Sequence, residues 1–311
     1  MAVVSEFREE DCKELLSIHM LGQRGFEKGR TLGCGGQGHV FVLHNLDGHK
    51  SYAAKAFRSG SDAEREVGIM AKLRGCPGVV SFKDFIKERD GGQCFGSIIM
   101  ELCGSSLADR LRVSGQMSEE EAAQIIKQLA ETLKEMHSRG IVHRDLKPGN
   151  ILFKLDARDK VVISDFGIAT DDPEEMSQYC GTAKYMAPEV AENKDGSFYT
   201  AAIDVWGLGA ILYEMLGKGG YQPSEAFDRV RQGASPVGPF SFVAEDLLEK
   251  MLAVDPKQRL TVDQVLQHPW IVKLCRSSSS KIYRTWRRPC GAKRSAPGLD
   301  KDLVVKKVRA A

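Results

Sequence analysis

The chain has 311 residues, 42% hydrophobic and 28% charged, which is enough for one large or two ordinary globular domains with a buried core. It has no apolar run of about 18 residues, so no membrane-spanning helix is expected, and its first residues lack the basic and apolar regions of a secretory signal. Of the net charge of +2, residues 273–311 supply +10 (twelve Lys or Arg and two Asp), which leaves −8 for residues 1–272.

Eight cysteines are scattered along the chain, without a C-x-x-C pair and without the spacing of metal ligands. This favours free thiols in a reducing compartment over disulfides or a zinc site. We therefore expect a cytoplasmic protein, with the nucleus as a second location reached through the basic tail.

The first hundred residues carry mainly strand signals. Apolar residues between 7 and 18 predict a short amphipathic helix, to which we assign no function. From Lys28 onward, β-branched and aromatic runs broken by a "DG" turn predict about three antiparallel strands. "SDAEREVGIMAKLRG" predicts a helix that ends near Gly75, and "VVSFKDFIKERDGGQCFGSIIMEL" returns to strand character.

After Cys103 the pattern becomes helical. "SEEEAAQIIKQLAETLKEMHSRG" opens with Ser118 and Glu121 at capping-box spacing and closes at Gly140. "IDVWGLGAILYEML" (203–216) is apolar nearly all round and predicts a buried central helix, and "AEDLLEKML" and "TVDQVLQHPW" predict two amphipathic ones. A β-rich piece of about ninety residues thus precedes a helical piece of about 170, which predicts two segregated lobes.

A glycine-rich stretch, "LGCGGQGHV", lies within the predicted strands. Gly33, Gly35 and Gly38 form a G-x-G-x-x-G pattern, with Val40 two residues beyond. An ordinary turn explains such a pattern as well as a binding loop does. Because strand signals continue on both sides, the pattern differs from a dinucleotide fingerprint, whose third glycine opens a helix. A strand–turn–strand of glycines can fold over phosphates.

Lys55 follows on a predicted strand in "AAKAF". Most strand lysines are solvated edge residues, but a buried ammonium would require a counter-charge. The next helix offers Glu66 and Glu64. We prefer Glu66, because it lies four residues before Met70 on the apolar face.

The stretch "HRDLKPGN" (143–150), with "VVISDFG" after it, supplies the parts that phosphoryl transfer needs. Asn150 and Asp165 offer the hard oxygen ligands that Mg²⁺ prefers. Lys147 can screen a moving phosphoryl group, and Asp145 can accept a hydroxyl proton. Each of these could be a turn former by itself, but the ordered set favours the chemical interpretation.

These motifs resemble the signature of eukaryotic-type protein kinases: "GCGGQGHV", "AAK", "HRDLKPGN", "DFG" and "APE", with "DVWGLG" and "DPKQRL" as helical-lobe markers. The resemblance covers residues 26–270 and implies an α+β, bilobal protein kinase fold, with a small antiparallel β-sheet N-lobe that has one main helix and a larger helical C-lobe. It divides the chain into an N-terminal extension (1–25), a kinase domain (26–272, with lobes of about 26–102 and 103–272) and a basic, weakly ordered tail (273–311).

The resemblance implies a role for each candidate residue. Asp145 would be the base, Lys147 would screen charge, and Lys55, paired with Glu66, would hold the α and β phosphates of ATP. The metal ligands for Mg²⁺ would be Asn150 and Asp165. The expected ATP-binding residues are Leu32, Gly33, Gly35, Gly38, Val40, Ala53, Lys55, Glu101, Cys103 and Leu152.

Four more positions receive structural roles from the resemblance. Met100 would guard the back of the adenine pocket. Glu189 of "APE" would pair with a buried Arg259, and Asp204 would brace the backbone of the catalytic loop.

Two features favour serine/threonine specificity. Lys147 stands two residues after the base, where tyrosine kinases usually carry Ala or Arg, and Thr182 of the activation segment stands where the serine/threonine branch has a hydroxyl that contacts base and lysine. "HPW" at 268–270 resembles the calmodulin-kinase-like group. Gly149 replaces the glutamate of the common "KPEN" version, which leaves a preference for basic residues in the substrate open. Gln37 replaces an aromatic residue of the glycine loop, and 217–227 lacks the usual "PF" pair.

The activation segment, residues 165–189, allows three interpretations of how the chain is regulated. In the family, the arginine at the position of Arg144 binds an anion from this segment. A phosphate on Ser177 or Tyr179 could be that anion. Alternatively, the carboxylates of "DDPEE" (171–175) supply a fixed anion, so that no phosphate is needed. The third reading is a solvated acidic loop.

The basic tail contains a tryptophan among cations in "SSSSKIYRTWRRPCGAKR". Such a segment could bind calmodulin, anionic lipid, nucleic acid or the acidic body of the chain, or it could be a disordered tail with no single partner. We expect a regulator of the tail, either calmodulin or the chain itself by autoinhibition, and no specific nucleic-acid partner.

The predicted function is that of a serine/threonine protein kinase, which uses Mg²⁺ and transfers the ATP γ-phosphoryl group to Ser or Thr hydroxyls of protein substrates. The alternative is a catalytically impaired pseudokinase that acts as an ATP-binding scaffold. Such scaffolds usually lose the lysine, the base or the metal-binding aspartate, and Lys55, Asp145 and Asp165 are all present. A small-molecule kinase is a further rival, disfavoured by the "APE" region.

Overall fold

A computed structural model describes residues 24–277, apart from 36–37, 47–49, 58–59, 91–92, 194–195, 218–229, 231, 233 and 237. A smaller β-rich lobe is followed by a larger helical lobe, as the strand and helix patterns predict. Several sequence predictions fall outside the described residues: the helix of residues 7–18, the replacement at Gln37, most of the segment 217–227 and the tail beyond residue 277.

A five-stranded antiparallel sheet forms the smaller lobe. Its strands are β1 (Phe26–Gly35), β2 (Gly38–Asn45), β3 (Ser51–Phe57), β4 (Phe82–Asp90) and β5 (Gln93–Glu101), in the order β1-β2-β3-β5-β4. The alternation of side chains along β3 assigns its two faces, because neighbours in a strand point to opposite sides. Ala54 and Ala56 pack into a cluster on one face, and Ala53 and Phe57 join the main core on the other, the face to which Lys55 also belongs.

Gly38 allows β2 to pair closely with β3. Its φ of +142° is one that side-chain-bearing residues rarely adopt, and a Cβ there would lie 2.1 Å from the carbonyl oxygen of Ala56. At Gly33 a Cβ would meet nothing within 4 Å. The third glycine of the motif is therefore required for strand pairing, whereas the first has open space around it.

Helix α1 (Gly60–Lys72) packs on the inner face of the sheet. It buries Ala63 and Met70, with Leu73 just beyond its end, and Glu66 shares this buried face with only 1% of its surface exposed. The spacing of three and four residues explains this arrangement, since such positions lie on the same side of a helix. A carboxylate is thereby carried into the space below β3.

The helical lobe is built around two long helices, α3 and α5. Its elements are α2 (Leu107–Ser114), α3 (Glu119–Ser138), β6 (Ile151–Phe153), β7 (Val161–Ile163), α4 (Pro188–Ala191), α5 (Ala202–Leu216), α6 (Phe242–Met251), α7 (Val262–Gln267) and α8 (Pro269–Ser277). Helix α3 begins with the predicted capping box, in which Ser118 and Glu121 each accept from the backbone of the other. Helix α5 is buried on nearly every side, as its continuous apolar pattern predicts. No helix in the described part of the chain has both the length and the apolarity to cross a membrane.

The single helix expected from "TVDQVLQHPW" is two helices in the structure. His268 is extended between α7 and α8, because Pro269 cannot continue the first helix and is well suited to start the second. Glu119, at the start of α3, fastens α8 by accepting from Nε1 of Trp270 (2.7 Å), and it also accepts from the backbone N–H of Ser241 (2.7 Å). Helix α8 runs to Ser277, so the predicted domain end at residue 272 falls inside a helix.

Candidate active site

A cleft of about 1040 Å³ lies between the sheet and the helical lobe. This volume is at the upper end of the range for small-molecule binding sites, which reaches about 1000 Å³. The apolar wall comes mainly from the five-stranded sheet and from β6. Lys55 lies on β3, Glu66 on α1, and Asp145, Lys147 and Asp165 on the loops next to β6 and β7. The predicted site residues that line it are Leu32, Gly33, Gly38, Val40, Ala53, Lys55, Glu66, Met100, Glu101, Cys103, Asp145, Lys147, Asn150, Leu152, Asp165 and Thr182. Gly35 is the last residue of β1, beside the undescribed residues 36–37.

Lys55 pairs with two carboxylates in this cleft. Its Nζ lies 2.8 Å from Oε2 of Glu66 and 2.5 Å from Oδ1 of Asp165. Glu64, the rival partner, instead contacts Lys87 at the surface, at 2.5 Å. Burial lowers the pKa of Lys55, but the charges of Glu66 and Asp165 outweigh that effect and raise the pKa above its ordinary value. Lys55 is therefore a cation at neutral pH.

Asp145 lies at the centre of a network in the catalytic loop. Its Oδ1 accepts from the backbone N–H of Thr182 (2.8 Å), and its Oδ2 accepts from Nζ of Lys147 (2.6 Å). Lys147 also donates to Oγ1 of Thr182 (2.8 Å). Asn150 donates through its amide nitrogen to the backbone oxygen of Asp145 (2.9 Å). A carboxylate, an ammonium and a hydroxyl from two separate segments thus meet at one point.

Asp204, at the start of α5, braces the backbone of this loop as predicted. Its carboxylate accepts from the backbone N–H groups of His143 (2.9 Å) and Arg144 (3.0 Å) and from Nε2 of His137 (2.9 Å). Full burial opposes ionisation, yet the hydrogen bond and charge of His137 and the charge of His143 hold the pKa of Asp204 below its ordinary value.

Two residues around the site hold a left-handed backbone. Arg144 has φ of +68° and Asp165 has φ of +67°. Such conformations cost about 1–3 kcal/mol each for residues with side chains, and they persist where the surroundings impose them.

Burial opposes ionisation of Asp165, but the charge and hydrogen bond of Lys55 lower its pKa below the ordinary value. Asp165 is thus an ionised carboxylate at neutral pH.

The connection from β5 to α2 forms the back edge of the cleft. Met100 is 8% exposed and pairs across the sheet with Ala53. The side chain of Glu101 accepts from the backbone N–H of Ser81 (2.8 Å) and from Lys154 (3.1 Å), so its carboxylate is already paired within the protein. Burial raises the pKa of the Cys103 thiol to about 12, which keeps it protonated at neutral pH.

Glu214 is a residue of the site region that the sequence patterns miss. Its Oε2 accepts from the hydroxyl of Tyr185 (2.6 Å) and from Nζ of Lys184 (3.0 Å), and this fixes the turn directly after Thr182. Burial, followed by the hydrogen bond to Glu214, raises the pKa of Tyr185 above its ordinary value. The one signal in the sequence is a carboxylate near the end of a helix that is apolar from Val205 to Leu212.

The activation segment places an acidic side chain on Arg144. Nη2 of Arg144 lies 3.2 Å from Oε2 of Glu175, a member of the "DDPEE" run. The hydroxyl of Ser177 instead donates to a backbone oxygen (3.4 Å), and the ring of Tyr179 is 65% exposed. The same oxygen of Glu175 contacts Arg65 of α1, which the sequence patterns did not identify because it lies on the polar face of its helix.

The protein kinase domain family matches residues 26–271 of the chain. The chain belongs to the protein kinase family. It is 33% identical over 286 residues to calcium-dependent protein kinase 19 of Arabidopsis thaliana (84% of this chain, 48% of the relative). It is 38% identical over 201 residues to serine/threonine-protein kinase H1 homolog of Danio rerio (59% and 46%), and 34% identical over 262 residues to calcium/calmodulin-dependent protein kinase type 1 of Caenorhabditis briggsae (78% and 71%).

These relatives place the kinase domain in the calmodulin-kinase-like group of the eukaryotic protein kinases, as its sequence predicts. The chain spans about half the length of the first curated relatives that it matches, 48%, 49% and 53%. The fold agrees with the family in its five-stranded sheet and helical lobe.

The residues of the cleft fit ATP and Mg²⁺, the groups that the family implies. Asp165 offers an ionised carboxylate, and Asn150 offers an amide oxygen, because its amide nitrogen is already used in the bond to Asp145. Oxygen atoms of this kind are the ligands that Mg²⁺ prefers. Gly33, where a Cβ would meet nothing within 4 Å, and the cationic Lys55 line the same cleft.

Proposed function

We propose that the chain is a catalytically competent serine/threonine protein kinase that transfers the γ-phosphoryl group of ATP to a Ser or Thr hydroxyl. The observation that carries the proposal is the bridge made by Lys147, which contacts both Asp145 (2.6 Å) and Thr182 (2.8 Å). This bridge joins the proposed base to the segment along which a peptide substrate would lie. It supports competence because the base, its cation and the hydroxyl contact are assembled together.

Each residue then has a defined task. Asp145 orients the substrate hydroxyl and takes its proton as the new oxygen–phosphorus bond forms and the bond to ADP breaks. Lys147 screens the negative charge of the moving phosphoryl group, and Lys55 neutralises the phosphates that stay with ADP. Asn150 and Asp165 would hold Mg²⁺, which supplies further neutralisation of phosphate charge when bound.

An ATP-turnover assay on a peptide library tests this function. With Mg²⁺-ATP, the wild-type chain should phosphorylate Ser and Thr peptides, and Asp145→Asn should lose turnover by about a thousandfold or more while it still binds ATP. ATP binding without any transfer by the wild-type chain would favour the pseudokinase scaffold. Transfer to tyrosine alone would overturn the assigned specificity.

Gly149 makes the same library informative about substrate choice. A Cβ at this position would meet nothing within 4 Å, so the fold itself does not demand glycine there. We propose that its lack of a carboxylate removes a contact for basic substrate residues. Gly149→Glu should then gain a preference for Arg or Lys near the target, and an unchanged library profile would refute this.

The remaining parts of the functional proposal concern partners and location. The relatives include kinases named as calcium-dependent or calcium/calmodulin-dependent, which supports a calcium-linked regulator of the basic tail as a proposal for this chain. A cytoplasmic location, with the nucleus as a second one, likewise rests on the composition of the chain. Binding of calcium-loaded calmodulin to the full chain, measured by calorimetry with the calcium chelated as control, tests the first of these.

A further inference from the structure

Arg144 is a buried cation that needs an anion. Its side chain is 1% exposed, and its Nε donates to the backbone oxygen of Ile168 (2.6 Å). Glu175 provides both of the next two contacts, since Nη1 donates to its backbone oxygen (2.7 Å) and Nη2 to its Oε2 (3.2 Å). An unpaired buried guanidinium is strongly unfavourable, so the carboxylate of Glu175 fills an electrostatic requirement of the fold.

The same carboxylate reaches the smaller lobe. Oε2 of Glu175 lies 2.5 Å from Nη2 of Arg65, which is next to Glu66 on α1. A second contact runs parallel to the first, from Asp171 to Lys72 in the last turn of that helix. The acidic run thus contacts the helix that carries the partner of Lys55 at two places.

The local sequence directs Glu175 inward and its neighbour outward. Residues 173–177 form a 3₁₀ turn that Asp172 caps by accepting from the backbone N–H of Glu174 (2.9 Å). Met176 is buried and accepts from the backbone N–H of Tyr199 (2.8 Å), which anchors the turn to the helical lobe. With that anchor in place, Glu175 faces the two arginines and Glu174 is exposed.

We propose that Glu175 is a positioning residue that binds Arg144 and Arg65 together and orders the activation segment without a phosphate. The inference rests on the proposed kinase function and adds its regulation. The anion site on Arg144 is already occupied by a fixed carboxylate. Phosphorylation of Ser177 or Tyr179 is then unnecessary for activity, and the regulator of this chain acts elsewhere.

Dephosphorylated protein provides the test. The full chain is treated with phosphatase, and mass spectrometry verifies that residues 165–189 carry no phosphate. Its kcat/KM for a Ser/Thr peptide should stay within about twofold of the untreated protein, and Glu175→Gln should lower this value by about tenfold or more. Glu174→Gln, one residue away and exposed, is the matched control and should stay within about twofold.

Two further measurements separate positioning from general damage. Arg65→Gln combined with Glu175→Gln should cost little more than Glu175→Gln alone, because the change at Glu175 already removes the Arg65 contact. Amide hydrogen exchange of residues 165–189 should rise in Glu175→Gln, while exchange in α5 stays unchanged.

The exchange data also keep this proposal distinct from the kinase function. A wild-type chain without phosphate transfer, but with exchange protection that depends on Glu175, would remove the function and leave the positioning role. A loss of activity on phosphatase treatment, or equal exchange in the Glu175→Gln and Glu174→Gln variants, would overturn the positioning role.

Discussion

The guanidinium of Arg259 meets the carboxylate of Glu189 in two parallel hydrogen bonds, Nη1 to Oε1 at 2.6 Å and Nη2 to Oε2 at 2.9 Å. The Arg259 side chain is fully buried and lies over the ring of Trp206, 5.2 Å from its centroid. This pair fastens α4, where the activation segment ends, to the connection between α6 and α7. Paired bonds of this geometry are among the stronger ones in proteins.

Glu189→Gln should lower the free energy of unfolding by about 3 kcal/mol, because it leaves the Arg259 charge buried without its counter-charge. Urea denaturation followed by circular dichroism measures this. Glu192→Gln, on the exposed residue just after the same helix, is the control and should change the value by less than about 0.5 kcal/mol. Equal small effects of the two variants would mean that the buried pair is energetically unimportant.

Gly38→Ala should destabilise the smaller lobe by about 1–3 kcal/mol, because the new Cβ would meet the Ala56 oxygen and the backbone has positive φ. Gly33→Ala is the matched change within the same motif, and it should leave the melting temperature nearly unchanged. Thermal denaturation of both variants is the measurement. A larger loss from Gly33→Ala would contradict the roles given to the two glycines.

Thr182→Val removes the hydroxyl that accepts from Lys147 but keeps the backbone N–H that donates to Asp145. We expect kcat to fall by about tenfold with little change in ATP affinity, because the lost contact lies on the peptide side of the base. Steady-state kinetics and an ATP-binding titration check this. Thr182→Ser keeps the hydroxyl and should retain most of the activity; a Ser variant as slow as Val would exclude the hydroxyl as the cause.

Cys103 should react slowly with iodoacetamide at neutral pH, because burial raises its thiol pKa to about 12 and only the thiolate reacts. A raised pKa means that the thiolate fraction is small near pH 7 and grows about tenfold per pH unit until the pKa is approached. Labelling rates measured by mass spectrometry between pH 7 and 10 should therefore keep climbing. A plateau near pH 9 would show an ordinary thiol.

Local patterns were sufficient to predict most elements of the fold. Burial of one face produces the alternation along β3 and the three- and four-residue spacing on α1, and both signals survive in a single sequence. The capping box at Ser118 is equally local. The break at Pro269 was missed because the apolar spacing of "TVDQVLQHPW" continues across it, although proline at that position signals a new helix start.

The candidate site was predictable where the chemistry lies within short motifs and not where it depends on tertiary contacts. The partner of Lys55 could be chosen because Glu66 shares a helix face with buried residues. The sequence patterns do not indicate a role for Arg65 or Glu214, because each of them contacts a residue far along the chain. The interpretations of "DDPEE" differ in where the Glu175 side chain points. That direction depends on how Met176 is anchored, which a local pattern does not show.

The Glu119 carboxylate accepts three hydrogen bonds, from Nε1 of Trp270 and from the backbone N–H and the hydroxyl of Ser241, each at 2.7 Å. This carboxylate adds polar contacts to the apolar packing of Trp270 and Ile271, which are both buried, and so helps to hold the last described helix on the folded domain. A shortened protein that stops after Ser277 keeps the Trp270 bond and should be a usable recombinant product. A version that stops after Gln267 loses it, exposes the apolar floor beneath α8 and should precipitate when expressed.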